Sequence, residues 1–421
     1  MTAKSPPTPI DNSDDQGPAR AKNGLDKRLY IVFLIIFTEV SGFILVMPIF
    51  PFLGLELGLN EFEIGLIGSI FSVCQLFASP ITGKLSDRYG RKPILLLSQT
   101  STFVGFLLLG FADNVLVLIL ARLIDGLLGS NMTVAQAVIS DLTDEDNRTK
   151  AYSYSTGVFG AGLIVGPAIA SILVQINYSI PMFFAAGISM LSIILVIFLL
   201  PETNPNKTDE LSLKMKDIVP VRSMKKFIET PPTNRLLITF FLYTFGFMLC
   251  VNNLTLYTIA KFGVSAQQSA LYRTVSGIFR VLLQTFLVDR LIKWKGEQSI
   301  LRTGIIALIG VMISMMLSPN WLWIFLPMAV LSYGGGVSRP ILTSQLTKSV
   351  NHKEYATVLG VSNSLNSIAQ ILSPIIGGAI ISYAYFELVP ILSTLFFVIM
   401  YFLSRDKHIK KNDRKLTPSN E

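Results

Sequence analysis

Charged side chains stand inside otherwise apolar runs at several points of the chain, and their types could do chemistry. Glu39 lies in Phe37-Thr38-Glu39-Val40-Ser41-Gly42, and Arg122 and Asp125 lie in Leu118-Ile119-Leu120-Ala121-Arg122-Leu123-Ile124-Asp125-Gly126. A charge at mid-membrane costs at least about 2.5–3.5 kcal/mol and normally faces a bundle interior or water. Both histidines, His352 and His408, fall in polar connections. Proton transfer inside the oily runs therefore needs carboxylates, and Glu39 and Asp125 are the candidates. Arg122 and Asp125, at i and i+3, share a helix face. They either neutralise each other, or Arg122 tunes the protonation of a nearby carboxylate. Glu39 is the best candidate for that carboxylate. It lies roughly 12 Å along the first apolar helix, deep for a residue that snorkels to the boundary, and Pro48 and Pro51 bend or break the helix beyond it.

The second half of the chain differs in polarity. Arg273 and Arg280 sit seven apart, Gln284 follows one turn later, and Arg339 lies in Gly334-Gly335-Gly336-Val337-Ser338-Arg339-Pro340. Arg280 and Arg339 are deep enough to pair with Glu39 or Asp125 across a cavity, or to neutralise an anionic group on a substrate. Tyr243, Asn252, Asn253, Tyr257, Asn363 and Asn366 are further candidates for that cavity. Cys74 and Cys250 each sit in an apolar run, so no disulfide framework or metal pattern exists. With no phosphate-binding Gly loop, metal cluster or nucleophile beside a base, the sequence does not read as an enzyme. No cofactor and no ATP are expected.

The elements that must position these residues follow from composition. The chain has 421 residues, 51% hydrophobic and 15% charged, against about 25% charged in a soluble protein. Apolar runs of membrane-spanning length are expected near 29–53, 61–82, 93–112, 115–138, 151–175, 180–200, 235–259, 265–289, 300–318, 321–346, 355–383 and 385–404. They predict an all-α membrane protein with twelve transmembrane helices in two six-helix bundles. Residues 1–28 read as a disordered N-terminal tail rather than a signal peptide. Residues 29–200 form the first bundle, 201–234 a central linker, 235–404 the second bundle and 405–421 a basic tail. The net charge of +8 comes from Lys and Arg in loops and tails, which argues for topology rather than nucleic acid. Segments 83–92, 139–150, 201–234 and the C-terminal tail are basic, whereas 54–60, 113–114 and 176–179 are nearly bare. The positive-inside rule places both termini and the 83–93 segment in the cytoplasm.

Gly83-Lys84-Leu85-Ser86-Asp87-Arg88-Tyr89-Gly90-Arg91-Lys92-Pro93 reads as a short polar loop between spans. Gly83 permits close helix approach, Asp87 can cap or accept hydrogen bonds, and Arg88 and Arg91 can pair across a seam. Such contacts lock one conformation and release in another. Asp141 is expected to join that network. Asp87-Arg88 has an echo at Asp289-Arg290, Asp141-Leu142-Thr143 one at Gln345-Leu346-Thr347, and Gly166-Pro167 one at Ser373-Pro374. Three marks at nearly one spacing suggest a duplicated six-span unit. In span 5, Gly162 and Gly166 let backbones approach while Pro167 removes a helix hydrogen bond. The run reads as tight packing or as a pliable hinge, with Pro374 its counterpart.

On these motifs the chain resembles the major facilitator superfamily, most closely its drug:proton antiporters and the tetracycline efflux proteins among them. Gly83–Pro93 is similar to that family's loop 2–3 signature, Arg122 with Gly126 to its span 4 motif, Gly162 through Pro167 to its span 5 antiporter motif, and Glu39 to the acidic position of the tetracycline exporters' first span. Ala170-Ser171 departs from the Gly-Gly that usually ends the span 5 motif. Asp125 and the arginines of spans 8 and 10 are not carried over by the resemblance to the tetracycline exporters. The resemblance implies a monomeric multi-pass protein of the cytoplasmic membrane that exports a small amphiphilic compound against a proton gradient. The arginines of the second half leave open a carrier for an anionic metabolite. A transporter-like sensor or scaffold working through residues 405–421 is a third expectation.

Overall fold

The structure, a computed structural model, describes residues 25–204, 227, 229–231, 233–351 and 354–404. Most of the expected N-terminal tail and central linker, the whole basic tail and both histidines lie outside the described residues. Within them, twelve crossings follow one another. Span 1 is Arg28–Val46 continued by Phe50–Glu56, span 2 Glu61–Tyr89, span 3 Arg91–Gly110, span 4 Val115–Leu128 continued by Asn131–Asp141, span 5 Glu145–Leu173 and span 6 Ser179–Leu199. Span 7 is Thr233–Phe262, span 8 Ala266–Phe286, span 9 Glu297–Leu317, span 10 Phe325–Lys348, span 11 Tyr355–Tyr383 and span 12 Leu388–Ser404. Ten of these crossings are long and apolar enough to cross a bilayer. The others are span 12, an apolar helix of 17 residues, and span 8, which carries Arg273 and Arg280 within 21 residues.

Packing repeats with a shift of six. Span 1 packs on 5 and 6, span 3 on 4 and 6, and span 2 on 4; span 7 packs on 11 and 12, span 9 on 10 and 12, and span 8 on 10. The halves meet through two symmetric seams, span 2 against 11 and span 5 against 8. We call the end bearing residues 83–93 the near end and the opposite one the far end. Along the span 2–11 seam the cross-half contacts belong to the far half. The Phe62 N–H donates to the Ser382 hydroxyl oxygen (3.0 Å), which donates to Glu61 (2.8 Å), and the Ser69 hydroxyl lies 2.8 Å from the Ile371 carbonyl. Gly65 lies against the Pro374 carbonyl and Gly378 against that of Glu61, the close backbone approach that small residues allow.

Three expectations are corrected. The 83–93 segment is almost entirely helical, since span 2 runs to Tyr89 and span 3 starts at Arg91. Only Gly90 turns the chain, at a φ of +107° that favours glycine. The 29 residues of span 2 extend about 44 Å at 1.5 Å per residue, well beyond a hydrocarbon core of about 30 Å, so its polar end continues the helix outside the core. Span 4 is not continuous: it breaks at Gly129 and Ser130. Span 8 ends at Phe286, and Asp289 and Arg290 belong to a separate short helix, Val288–Lys295. Span 1 breaks at residues 47–49, where Pro48 cannot donate to a continuing helix. Spans 5 and 11 remain helical through Pro167 and Pro374.

Candidate functional site

A cavity of about 440 Å³ lies between the halves at mid-depth. The first half supplies an aromatic and apolar wall, with Phe43, Phe50, Phe71, Phe159 and Leu163, joined by Pro167 and Arg122. The second half supplies Arg273, Arg280, Arg339, Asn252, Asn253 and Gln370. No aspartate or glutamate lines it.

Arg122 and Asp125 make no ion pair with each other, although each stands in the other's field. The Arg122 guanidinium lies over the Phe50 and Phe71 rings, 5.3 and 5.7 Å from their centroids, and its Nε and Nη2 have no hydrogen-bond partner. A cation over two ring faces gains quadrupolar attraction that grows when desolvated. Asp125 accepts from the Thr102 hydroxyl (2.9 Å), whose oxygen accepts from the Asn131 amide (3.0 Å). Asp125 is therefore held by Thr102, not by the ion pair that its spacing from Arg122 suggested. Glu39, half-buried, stands beside the Asn131 side chain and within electrostatic reach of Asp125. Glu39, Asp125, Thr102 and Asn131 thus form one polar cluster at the break of span 4, and Gln75 donates to the freed Gly129 carbonyl (2.6 Å). Neither acid lines the cavity itself. The Gly129-Ser130-Asn131 run was the signal for this break, since Gly and Ser interrupt helices and a following Asn is free to reach sideways.

At the near end Arg91 is buried. It bonds to Ser86 (2.7 Å), Asp87 (2.5 Å) and Asp141 (2.8 Å), tying spans 2, 3 and 4 together. The Glu202 carboxylate accepts from the backbone N–H groups of Arg91 (2.8 Å), Thr203 (3.0 Å) and Asn204 (3.0 Å), with Lys92 at 3.3 Å. It caps span 3 and fills the space beside Gly90. Burial works to raise its proton affinity, but these donors outweigh it and hold the carboxyl below the usual glutamate range. Gly83 approaches Thr133, and Arg88 lies over the Tyr89 ring at 5.3 Å. Asp289 and Arg290 are exposed and make no ion pair among the described residues. The second half holds its corresponding corner differently: Glu297, at the start of span 9, pairs with Lys348, at the end of span 10 (2.9 Å). This matches Arg91 with Asp141 at the same two helix ends, with the charges exchanged. A search for repeated residue types could not find it.

The motif glycines of span 5, Gly162 and Gly166, pack within the first half. Gly162 lies against Val40 and Ser41, and Gly166 against Ser41 and Leu45. Across the halves, Gly160 of span 5 meets Val281 of span 8, and Gly277 of span 8 meets the Leu163 carbonyl of span 5. Of the expected cavity residues, Arg280, Arg339, Asn252 and Asn253 line it, and Gln284 lies beside the lining glycine Gly336. Four do not. Tyr243 is buried, donating to the Gly335 carbonyl (3.1 Å) and stacked on Phe247. Tyr257 belongs to the far end, where it donates to Glu387 (2.8 Å) beside the Lys261–Glu387 ion pair (2.5 Å). Asn363 is exposed and Asn366 half-buried, both off the lining. Helical rotation, which spacing alone leaves undetermined, decided all four.

The sequence model of the Major Facilitator Superfamily matches residues 32–374. The tetracycline resistance protein, class H, of Pasteurella multocida is 27% identical over 374 residues, covering 86% of this chain and 90% of that protein. Multidrug resistance protein 1 of Bacillus subtilis (strain 168) is 28% identical over 353 residues, covering 83% and 88%. The crystal structure of the human organic anion transporter MFSD10 (TETRAN) aligns with a TM-score of 0.68 at 21% identity, covering 91% of this chain and all of that one, a likeness of fold.

Proposed function

The chain belongs to the Major Facilitator Superfamily, and we propose that within this family of transporters it expels a small amphiphilic compound in exchange for protons. The observation that carries this reading is the cluster of Glu39, Asp125, Thr102 and Asn131, two carboxyls held by neutral partners beside an amphiphilic cavity. Its relatives named for tetracycline and multidrug resistance support export. With the basic near end in the cytoplasm, the state described here is sealed on the outside by spans 2 and 11.

Proton exchange acts at the cluster and cargo binding at the cavity. Arg122 joins the two: it lines the cavity and stands one helical turn from Asp125. Protonation removes negative charge from the cluster, which changes the field at Arg122 and so biases which way the halves face. A bound cargo biases the same equilibrium through the cavity wall, and two ligands that shift one equilibrium are coupled. The network of Asp87, Arg91 and Asp141 makes the near end of the first half one rigid corner for that motion.

In proteoliposomes with an imposed pH gradient, Glu39→Gln and Asp87→Asn are expected to abolish pH-driven uptake, and Glu39→Gln to retain substrate counterflow. A fully active Glu39→Gln would remove Glu39 from proton coupling.

A further inference from the structure

We propose that the cavity selects an amphiphilic organic anion, a ring-bearing body with a carboxylate, sulfonate or phosphate head, and that Arg280 and Arg339 hold the head. The proposal names the cargo of the export reading above and rests on it for the direction of transport alone.

Four arginines line the cavity, with no acidic residue among the lining. Among the described residues none of the four forms an ion pair. Two have other support. Arg273 donates to the Thr255 hydroxyl (3.1 Å) and the Val251 carbonyl (3.3 Å), and Arg122 is held over its two rings. Arg280 and Arg339 have no such partners: their guanidinium groups make no hydrogen bond with a described residue, and the Arg280 Nε is buried and unsatisfied. They are close enough for their charges to oppose each other.

Arg280, its Nε buried without a counter-charge, is costly to hold, and the like charge of Arg339, exposed where it lines the cavity, adds to that cost. An anion placed between them removes both penalties. The planar guanidinium fork matches a carboxylate, sulfonate or phosphate through paired charge-assisted hydrogen bonds. Facing it across the cavity, Phe43, Phe50, Phe71 and Phe159 offer ring faces to an apolar body. The volume suits a molecule of drug size. A cationic amphiphile would fit the aromatic wall and meet only like charge on the other.

The test uses two probes that share a fluorophore and differ in charge, dansylglycine and dansylcadaverine, titrated against the full chain in nanodiscs without a pH gradient. Dansylglycine is expected to bind at least tenfold more tightly than dansylcadaverine. Arg280→Gln and Arg339→Gln each weaken dansylglycine at least tenfold and leave dansylcadaverine unchanged or tighter. Arg280→Lys keeps the charge, loses the fork and falls between. Variants are compared only at matching thermal midpoints and gel-filtration profiles. Tighter binding of dansylcadaverine, no binding of dansylglycine, or affinity for it that ignores both substitutions overturns the proposal. The export reading fails separately: dansylglycine that binds as expected but never moves with the proton gradient refutes export and leaves the anion site standing.

Discussion

Replacing Gly65 by alanine puts a methyl group against the Pro374 peptide, with its ideal position 2.8 Å from the carbonyl carbon and nearer still to the oxygen. That neighbour is backbone in the middle of span 11, so no side chain can swing aside and the two helices must part. Overpacking of this kind costs about 1–3 kcal/mol. The contact exists only while the far end is closed, so the whole cost falls on that state. A bias of about 1–3 kcal/mol changes a two-state ratio by about 5- to 150-fold, in favour of the state open at the far end. The readout is a single cysteine at Met248, which lines the cavity, in a background where the buried Cys74 and Cys250 are replaced by serine. A membrane-impermeant maleimide applied from the far side should label it faster in Gly65→Ala by that factor, and Gly378→Ala, which meets the Glu61 carbonyl along the same seam, should act in the same sense. Unchanged or slower labelling in a folded Gly65→Ala protein would show that spans 2 and 11 are not the far-side gate.

The other predictions concern single bonds. Lys261 donates to Glu387 (2.5 Å) and to the Met316 and Met315 carbonyls (2.6 and 2.9 Å), so Lys261→Met leaves a mostly buried carboxylate unpaired. Loss of one partner of a buried pair costs about 3–5 kcal/mol; the thermal midpoint in detergent should fall sharply and recover in part in Lys261→Met with Glu387→Gln. Glu202→Ala removes the cap of span 3 and should cost near the lower end of about 0.5–2 kcal/mol, since the carboxylate is exposed to screening. Because the folded carboxyl titrates below its unfolded value of about 4.3, its stabilisation is complete above that pH and fades as pH falls through the folded value. The melting difference between wild type and Glu202→Ala should therefore stay constant near neutrality and shrink in acid; a difference that grows in acid would contradict the capping role.

How much could be read before any coordinates depended on whether chain-local rules decided the matter. Span length and charge placement are local. The twelve crossings follow in the expected order, most of their ends close to the expected ones, although span 2 runs on to Tyr89 past the expected 82 and span 5 starts at Glu145 before the expected 151. Arg280 and Arg339 were legible as cavity residues because an unpaired arginine deep in an apolar run has few places to go. For Arg122 with Asp125, spacing left two readings open, mutual neutralisation or an arginine tuning a nearby carboxylate, and the direct ion pair is not what forms. Spacing put them on one face, but Phe50, Phe71 and Thr102, residues distant in sequence, decided where each side chain pointed. Tyr243 and Tyr257 failed as cavity residues, since a tyrosine in a span serves equally well as a packing residue with one satisfied hydroxyl. The 83–93 segment looked like a loop because it is polar, yet polarity there reports the edge of the bilayer and not the end of the helix.

The interruption of span 4 has a consequence for hydration. A helix that restarts at Asn131 leaves its first amide groups without the carbonyls that a continuous helix would supply, and lipid offers them nothing. Gln75 answers the carbonyl side of the break through Gly129, and the Ser130 N–H donates back to the Leu128 carbonyl (2.9 Å), which leaves the Asn131 and Met132 N–H groups without a backbone acceptor among the described residues. Those amides stand beside Glu39 and Asp125. The acids thus share their level of the bundle with peptide groups open to hydration, and deuterium from the solvent should reach the amides of Asn131 and Met132 faster than those of the unbroken helix on either side.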